Sequence, residues 1–366
     1  MKNHLFLSLT ILFFVQFGFA QTHPDFTIIK QIKTTPVKNQ QLTGTCWSFA
    51  TTSYLETEAL RLGKSELDLS PMYFVYYSYI DKAYDYVRHH GNFNLSEGGQ
   101  AHDVMNVIRK HGLMPVSAYP GKKYDLPYYD HSELDKDLHS VVKNAVDGAK
   151  EILSPTWFVS FKGILDAYMG VPPKEFSYKG KTYTPVSFNK KLVGINPDDY
   201  FEFTSYTHHP FYTLIDLELP DNWSHNRYYN IPLEDLMKII NNALENGYSV
   251  DWDGDVSEKK WDNKNGTAKL RDIDITRIKK SNFQAYRQKT FDNFTTTDDH
   301  LMQLVGTAKN KDGELYYLIK NSWGNDYNKY GGYLYMSKDY VKIKTIAILI
   351  HKDAIPKNIA KKCGIK

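Results

Sequence analysis

The stretch "NQQLTGTCWSFATTSYLETEALRLG" (residues 39–63) holds one of only two cysteines in a chain of 366 residues. Cys46 is followed by Trp47, and then apolar residues recur at roughly helical spacing: Phe49, Tyr54, Leu55, Ala59 and Leu62. Gly63 supplies a stop. The pattern predicts a helix over 46–62 with Cys46 in its first turn. The free N–H groups and positive dipole end of a helix start favour a thiolate, which makes Cys46 a candidate nucleophile. Taken alone, it reads equally well as a buried structural thiol. The choice rests on whether a base and oxyanion donors accompany it.

A nucleophilic thiol needs a base, a group to orient that base, and donors for the developing oxyanion. Donors are at hand in the Cys46 backbone N–H and in an upstream side-chain amide, where Gln40 and Gln41 both stand. With 13 histidines, composition alone selects no base. Sequence context selects one. "TTTDDHLMQLVGTAKN" (295–310) places His300 at the start of a strand, and Asn321 of "KNSWG" follows 321 − 300 = 21 residues later. An Asn side-chain carbonyl accepts from the far imidazole nitrogen, and the adjacent Trp323 would shield that bond.

The rest of the chain divides by character. Residues 1–20 carry Lys2 and His4 before the apolar run "LFLSLTILFFVQF", then Gly18-Phe19-Ala20. This is the pattern of a secretory signal peptide cut after Ala20, and the run is short for an uncleaved membrane anchor. A short lead-in (21–35) precedes an α-rich half (36–120), which carries the nucleophile. That half contains a helix capped by Ser70 and Pro71 and another in "AHDVMNVIRKHG". An inserted segment (121–230) has two helical stretches and then a turn-rich run. A β-rich half with a C-terminal tail (231–366) opens on the helix "PLEDLMKIINNALENG". Its strand-like runs are "YSVDW", "HLMQLVGTAKN", "LYYLIKNSW", "GYLYMS" and "TIAILIH". The formal net charge of +3 points to neither nucleic acid nor an anionic membrane, so no nucleic-acid partner is expected, and no membrane partner after signal cleavage. The expected location is secreted or periplasmic.

In the order "NQ", "CW", "DH", "LVG" and "KNSWG", these motifs resemble the papain superfamily of cysteine peptidases. Thr43 stands where that family's first disulfide cysteine would be. The interval 300 − 46 = 254 residues exceeds the roughly 130–150 of the papain pattern. With "YFEFTSYTHHPFY" and "LPDNWSHNRYYNIPLEDL", the inserted length resembles the bleomycin hydrolase and aminopeptidase C branch. The long inhibitory propeptide of secreted papain-like enzymes has no counterpart in the short lead-in.

The resemblance implies an α+β papain-like fold of two domains. An α-helical half and an antiparallel β-barrel-like half would flank the active site, with an inserted helical segment added. It implies Cys46 as nucleophile, His300 as base and acid, Asn321 as its orienter and Gln40, not Gln41, as oxyanion donor. Gly98 and Gly99 match a glycine pair that holds an extended substrate, and Asp299 matches a residue that tunes the ion pair. The implied function is a cysteine peptidase acting on peptide substrates, of aminopeptidase type, without cofactor or metal. Homo-oligomers are implied too, since bleomycin hydrolases form hexameric rings.

In that branch the C-terminus lies in the cleft, so a tail ending at Lys366 is expected near Cys46, and a Cys46–Cys363 bridge becomes conceivable. The alternatives are an amide hydrolase or acyltransferase of the same fold acting on a non-peptide substrate, and a non-catalytic binding protein. The pairs at His89-His90 and His208-His209, and the loosely calcium-loop-like "DWDGDVSE" (251–258), read more simply as solvated or packed residues.

Overall fold

The computed structural model describes residues 25–124, 127–149, 151–280 and 282–365. The expected leader, residues 1–20, and Lys366 lie outside the described residues. Helix α1 (Cys46–Arg61) is where the sequence pattern puts it, but it is more than amphipathic: every residue from Trp47 to Ala59 is buried. It has cover on every side, from α2 (Pro71–Arg88) and α3 (Ala101–His111) and from the central sheet. The Ser70 hydroxyl accepts from the Tyr73 N–H at 3.2 Å, with Pro71 at the first helical position. Gln100 and Asp103 form a reciprocal cap on α3, with the Gln100 N–H donating to Asp103 Oδ2 at 2.9 Å.

The expected helices of the inserted segment are α4 (Ser132–Asp147) and α5 (Trp157–Met169), which pack on each other and on α2. Leu134, Leu138 and Val142 of α4 and Phe161 and Leu165 of α5 are fully buried in the aromatic-rich core of this half.

The first strand, β1 (Phe26–Gln31), is followed much later by the hairpin β2 (Phe176–Tyr178) and β3 (Lys181–Tyr183) and the single turn α6 (Pro185–Phe188). Next come β4 (Tyr200–Thr204), β5 (Thr213–Asp216), β6 (Arg227–Asn230), α7 (Leu233–Glu245) and β7 (Val250–Gly254). The two-residue strands β8 (Trp261–Asp262) and β9 (Thr267–Ala268) lead into α8 (Asp272–Lys280) and α9 (Phe283–Asp292). The chain finishes with β10 (His300–Asn310), β11 (Leu315–Lys320), β12 (Tyr333–Ser337), α10 (Lys338–Lys344), β13 (Thr345–His351) and α11 (Lys357–Cys363).

Eleven strands form one sheet in the order β5-β6-β4-β13-β7-β10-β11-β12-β9-β8, with β1 added on β10. The architecture is the expected α+β one, with the sheet an open path among the described residues and not a closed barrel. All five strand-like runs of the last third are strands. The run 200–230, turn-rich in sequence, supplies three more. Strand β13 recruits β4, its residues Ala347–His351 pairing with Thr204–Tyr200, and β6 then adds to β4 and β5 to β6.

Strand β10 is the pivot. Its first residues, from His300 to Leu304, pair with β7, and its later ones pair with β11 and β1. Helix α1 packs against β10, so the start of the helix and the start of the strand meet at one end of the interface.

Candidate active site

Gln40, Cys46, Gly98, Gly99 and His300 all line one cleft of about 490 Å³, with Trp323 at its side. Cys46 is the first residue of α1, and no side-chain cap takes the first amides of that helix. The Thr45 carbonyl accepts from the N–H groups of Ser48 and Phe49 at 3.0 and 3.2 Å, and the Cys46 N–H opens the helix at the thiol.

His300 is buried, and its Nε2 pairs with Asn321 Oδ1 at 2.7 Å. The amide oxygen accepts, so the hydrogen sits on Nε2 and Nδ1 is left as the imidazole's basic atom. Asn321 Oδ1 also accepts from the Ser322 N–H at 2.7 Å, which fixes the amide's orientation. The Trp323 ring stacks on the imidazole, with centroids 4.6 Å apart and planes 27° apart.

The two glutamines separate cleanly. Gln40 Oε1 accepts from Ser322 Oγ at 2.7 Å, and its Nε2 donates to the Thr43 carbonyl at 2.9 Å. One N–H of the amide is thus used and the other is left to the cleft. Gln41 has φ 58°, and its Oε1 accepts from the Tyr129 N–H at 2.5 Å. It turns away from the cleft.

The glycine loop is built from below. Trp47 Nε1 donates to the Glu97 carbonyl at 2.9 Å, and the Gly44 N–H donates to Glu97 Oε2 at 2.7 Å. Lys82, 2 % exposed, donates to the carbonyls of Ser96 and Gly98. A Cβ at Gly99 would press on the Trp47 ring, and one at Gly98 would overlap the Asp221 carboxylate. Both glycines are required by close approach.

The electrostatics depart from the sequence expectation. A helix start lowers a thiol pKa, yet burial pushes Cys46 up to about 12, with the carboxylates of Asp298, Asp253 and Asp221 acting in the same sense. Burial likewise pushes His300 down to about 4, against the Asn321 hydrogen bond. Each group on its own is held neutral. Moving the proton from Sγ to the imidazole makes two opposite charges that compensate one another, so the pair ionises together or not at all.

Sequence reasoning missed most of the cleft's acidic wall, Glu97, Asp135, Asp221 and Asp298 beside Asp299. The "DD" before His300 was a signal, but only Asp299 was singled out; its Oδ2 accepts from the Val256 N–H at 3.1 Å. Asp221 lies 221 − 46 = 175 residues from Cys46, in a turn whose place only the tertiary fold sets.

The tail through Ile365 runs elsewhere than in the cleft, and Lys366 lies outside the described residues. Ile359 is buried in the core cluster that also holds residues of α7, with Cys363 and Ile365 packed against it. Lys362 Nζ donates to the Tyr212 hydroxyl at 3.0 Å. Through Ile365, no tail residue lines the cleft, and both cysteines are free thiols. Ile359 is seated in that core and Lys362 pairs with Asp235 of α7 at 3.6 Å, so α11 lies on the body of the β-rich half.

His208 and His209 converge on Glu218 at 3.1 and 2.8 Å. Gln288 Nε2 donates to His208 Nδ1 at 2.8 Å, which puts the His208 hydrogen on Nε2, facing the carboxylate. The arrangement is a hydrogen-bonded pair of imidazoles on a carboxylate. Among the described residues no helix is long and apolar enough to cross a membrane.

The fold and its cleft define a cysteine peptidase of papain-like architecture. The chain belongs to the Peptidase C1-like family, whose model matches residues 19–365. It is 26% identical to Aminopeptidase W of Lactobacillus delbrueckii subsp. lactis, over 90% of this chain and 84% of that protein. It is 24% identical to mitochondrial Cysteine proteinase 1 of Saccharomyces cerevisiae, over 93% of this chain and 80% of that protein. The crystal structure of PepW from Lactobacillus rhamnosis superposes with a TM-score of 0.74 at 22% identity, over 92% of this chain and 84% of that one.

Proposed function

We propose that this chain is an aminopeptidase that releases N-terminal residues through an acyl-enzyme on Cys46. The observation that carries the reading is the His300 Nε2–Asn321 Oδ1 bond at 2.7 Å, beneath Trp323 and in the cleft that holds Cys46. The relatives named aminopeptidase W, G and E support the exopeptidase part.

In this mechanism His300 takes the Cys46 proton as Sγ attacks the scissile carbonyl. The Cys46 N–H and the free N–H of Gln40 receive the oxyanion. The imidazolium then gives its proton to the leaving amine, and the C–N bond breaks to leave a thioester on Cys46. His300 next takes a proton from water as its oxygen attacks the thioester, and returns it to Sγ as the acid departs. Asn321 holds the imidazole in the required tautomer, and Gly98 and Gly99 line the acyl side of the cleft.

Secretion, with residues 1–20 removed, is part of the proposal; the exported protein should begin at Gln21 by N-terminal sequencing. Assembly into a homo-oligomer is a further part, and sedimentation should give a multiple of the chain mass.

A panel of aminoacyl reporters with free and acetylated amines, alongside simple non-peptide amides, tests the activity. Turnover of the free-amine reporters is expected. Turnover of the non-peptide amides alone would contradict it.

A further inference from the structure

The cleft that holds Cys46 is negative. Among the residues lining it are the carboxylates of Glu97, Asp135, Asp221, Asp298 and Asp299, and apart from His300 none of them is basic. Two of the five are committed elsewhere, Glu97 to the Gly44 N–H and Asp299 to the Val256 N–H. Asn94 Nδ2 donates to Asp221 Oδ1 at 2.9 Å and Gln100 Nε2 donates to Asp298 Oδ2 at 2.7 Å, and the buried Lys82 ammonium beneath the glycine loop acts on Asp221 from behind.

Behind them stands an independent observation. Asp253 is 3 % exposed, and among the described residues no N–H or hydroxyl group donates to its carboxyl oxygens. The group it faces is the Asp298 carboxyl on the cleft wall. The two share a proton: burial and the facing Asp298 carboxyl hold Asp253 well above the usual carboxylate range, so the pair presents at most one negative charge to the cleft, on Asp298.

Asp221 is held in position. Two and three residues further on, Trp223 Nε1 and Ser224 Oγ both donate to the buried Asp103, at 2.8 and 2.9 Å. This places the Asp221 carboxylate so close over Gly98 that a Cβ there would overlap it. A chain running along the glycine loop away from Cys46 meets this carboxylate.

We infer that Asp221, with Asp298 beside it, accepts the substrate's α-ammonium group and closes the acyl side of the cleft to longer chains. The inference rests on the peptidase reading above and adds to it the groups that set exopeptidase specificity. The ligand chemistry is an organic cation, which has two sources: the α-ammonium of a free N-terminus, or the side chain of a Lys or Arg one residue further from the scissile bond. The position of Asp221 favours the first, because the second needs the chain to continue past Gly98.

There is a consequence for the thiol. The same carboxylates oppose the Cys46 thiolate. A bound ammonium cancels their field, so the nucleophile is easier to ionise once the correct substrate is seated.

The test compares wild type, Asp221→Asn and Asp298→Asn on three reporters with one leaving group: a free aminoacyl, its N-acetyl form, and an N-acetyl dipeptidyl form with Lys in the outer position. Rates are divided by the number of sites titrated with a neutral epoxide thiol-trap, so a misfolded fraction does not count. Wild type should prefer the free amine, and each variant should lose roughly 10- to 100-fold of that preference in kcat/KM, chiefly through KM, with the acetyl reporter unchanged or faster. An unchanged ratio of free to acetylated turnover in both variants would overturn the inference while leaving the peptidase intact. A wild-type preference for the acetyl-Lys reporter, lost in the variants, would overturn the assignment to the α-ammonium. Titratable Cys46 with no turnover of any reporter would sink the peptidase reading itself.

Discussion

Ser53 Oγ donates to Gln303 Oε1 at 2.7 Å, across the junction of the two halves of the molecule. Ser53 lies two turns into the helix that begins with Cys46, and Gln303 lies three residues along the strand that begins with His300. Gln303 Nε2 completes the tie by donating to Thr57 Oγ1 and Ser249 Oγ at 2.8 and 2.9 Å. Lys320, next to Asn321, donates to the same Ser53 hydroxyl at 2.7 Å. The helix, the strand and the segment that bring Cys46, His300 and Asn321 together thus share one buried polar network. Its members satisfy one another, and directional bonds fix the relative position of helix and strand more tightly than apolar contact does.

Replacing Gln303 by leucine roughly keeps the volume but takes from Ser249 Oγ its partner, while Ser53 keeps Lys320 and Thr57 keeps the Ser53 carbonyl. Each buried unsatisfied group costs about 1–3 kcal/mol, so denaturant unfolding should show a loss of at least that size. The kcat should fall as well, although Gln303 does not line the cleft, because helix and strand are no longer held in one register.

The contrast between the two glutamines gives a paired prediction. Gln40→Ala removes an amide held by Ser322 and Thr43 and should lower kcat by about 10²–10³, the usual loss for one oxyanion donor. Gln41→Ala removes a contact to the Tyr129 backbone and should leave kcat near that of the parent. Steady-state kinetics on the free-amine reporter check both.

Asp251 gives a pH prediction for stability. Burial pushes its carboxyl up to about 8 from an ordinary 3.8, with the Thr51 hydroxyl opposing and Glu202 assisting. The folded state therefore holds a proton that the unfolded chain releases. Stability from this group is fully present below about pH 4, declines as pH rises, and levels off above about pH 8. Across that window the loss is on the order of a few kcal/mol. Asp251→Asn keeps a neutral group in place, so its unfolding free energy should vary less between pH 5 and pH 8, and it should exceed that of wild type at the upper end. Urea melts at a series of pH values measure it.

The sequence carried the parts of the site that local chemistry writes. A thiol opening a helix, a histidine opening a strand and an asparagine before a tryptophan are each visible in a few residues. The strands of the last third were equally plain, because Val, Ile, Leu and Tyr run through them. What stayed hidden depends on contacts distant in sequence. Strands β4 to β6 are short and flanked by turn residues, and they become strands because β13 offers β4 an edge on which β6 and then β5 are added. The rise in the Cys46 pKa comes from burial and from carboxylates recruited from three separate segments, at 221, 253 and 298. The tail was expected in the cleft; the apolar side chains of Ile359 and Ile365 hold it on the core beside α7.

The central claim is that Cys46 carries the acyl group. Quenching the reaction of an aminoacyl ester with acid and mapping the protein by mass spectrometry tests it most directly. The account predicts the aminoacyl mass on the peptide containing Cys46 in wild type, and its absence in Cys46→Ala and His300→Ala, neither of which turns over. Steady turnover by Cys46→Ala, or an adduct on any other residue of the active enzyme, would contradict it.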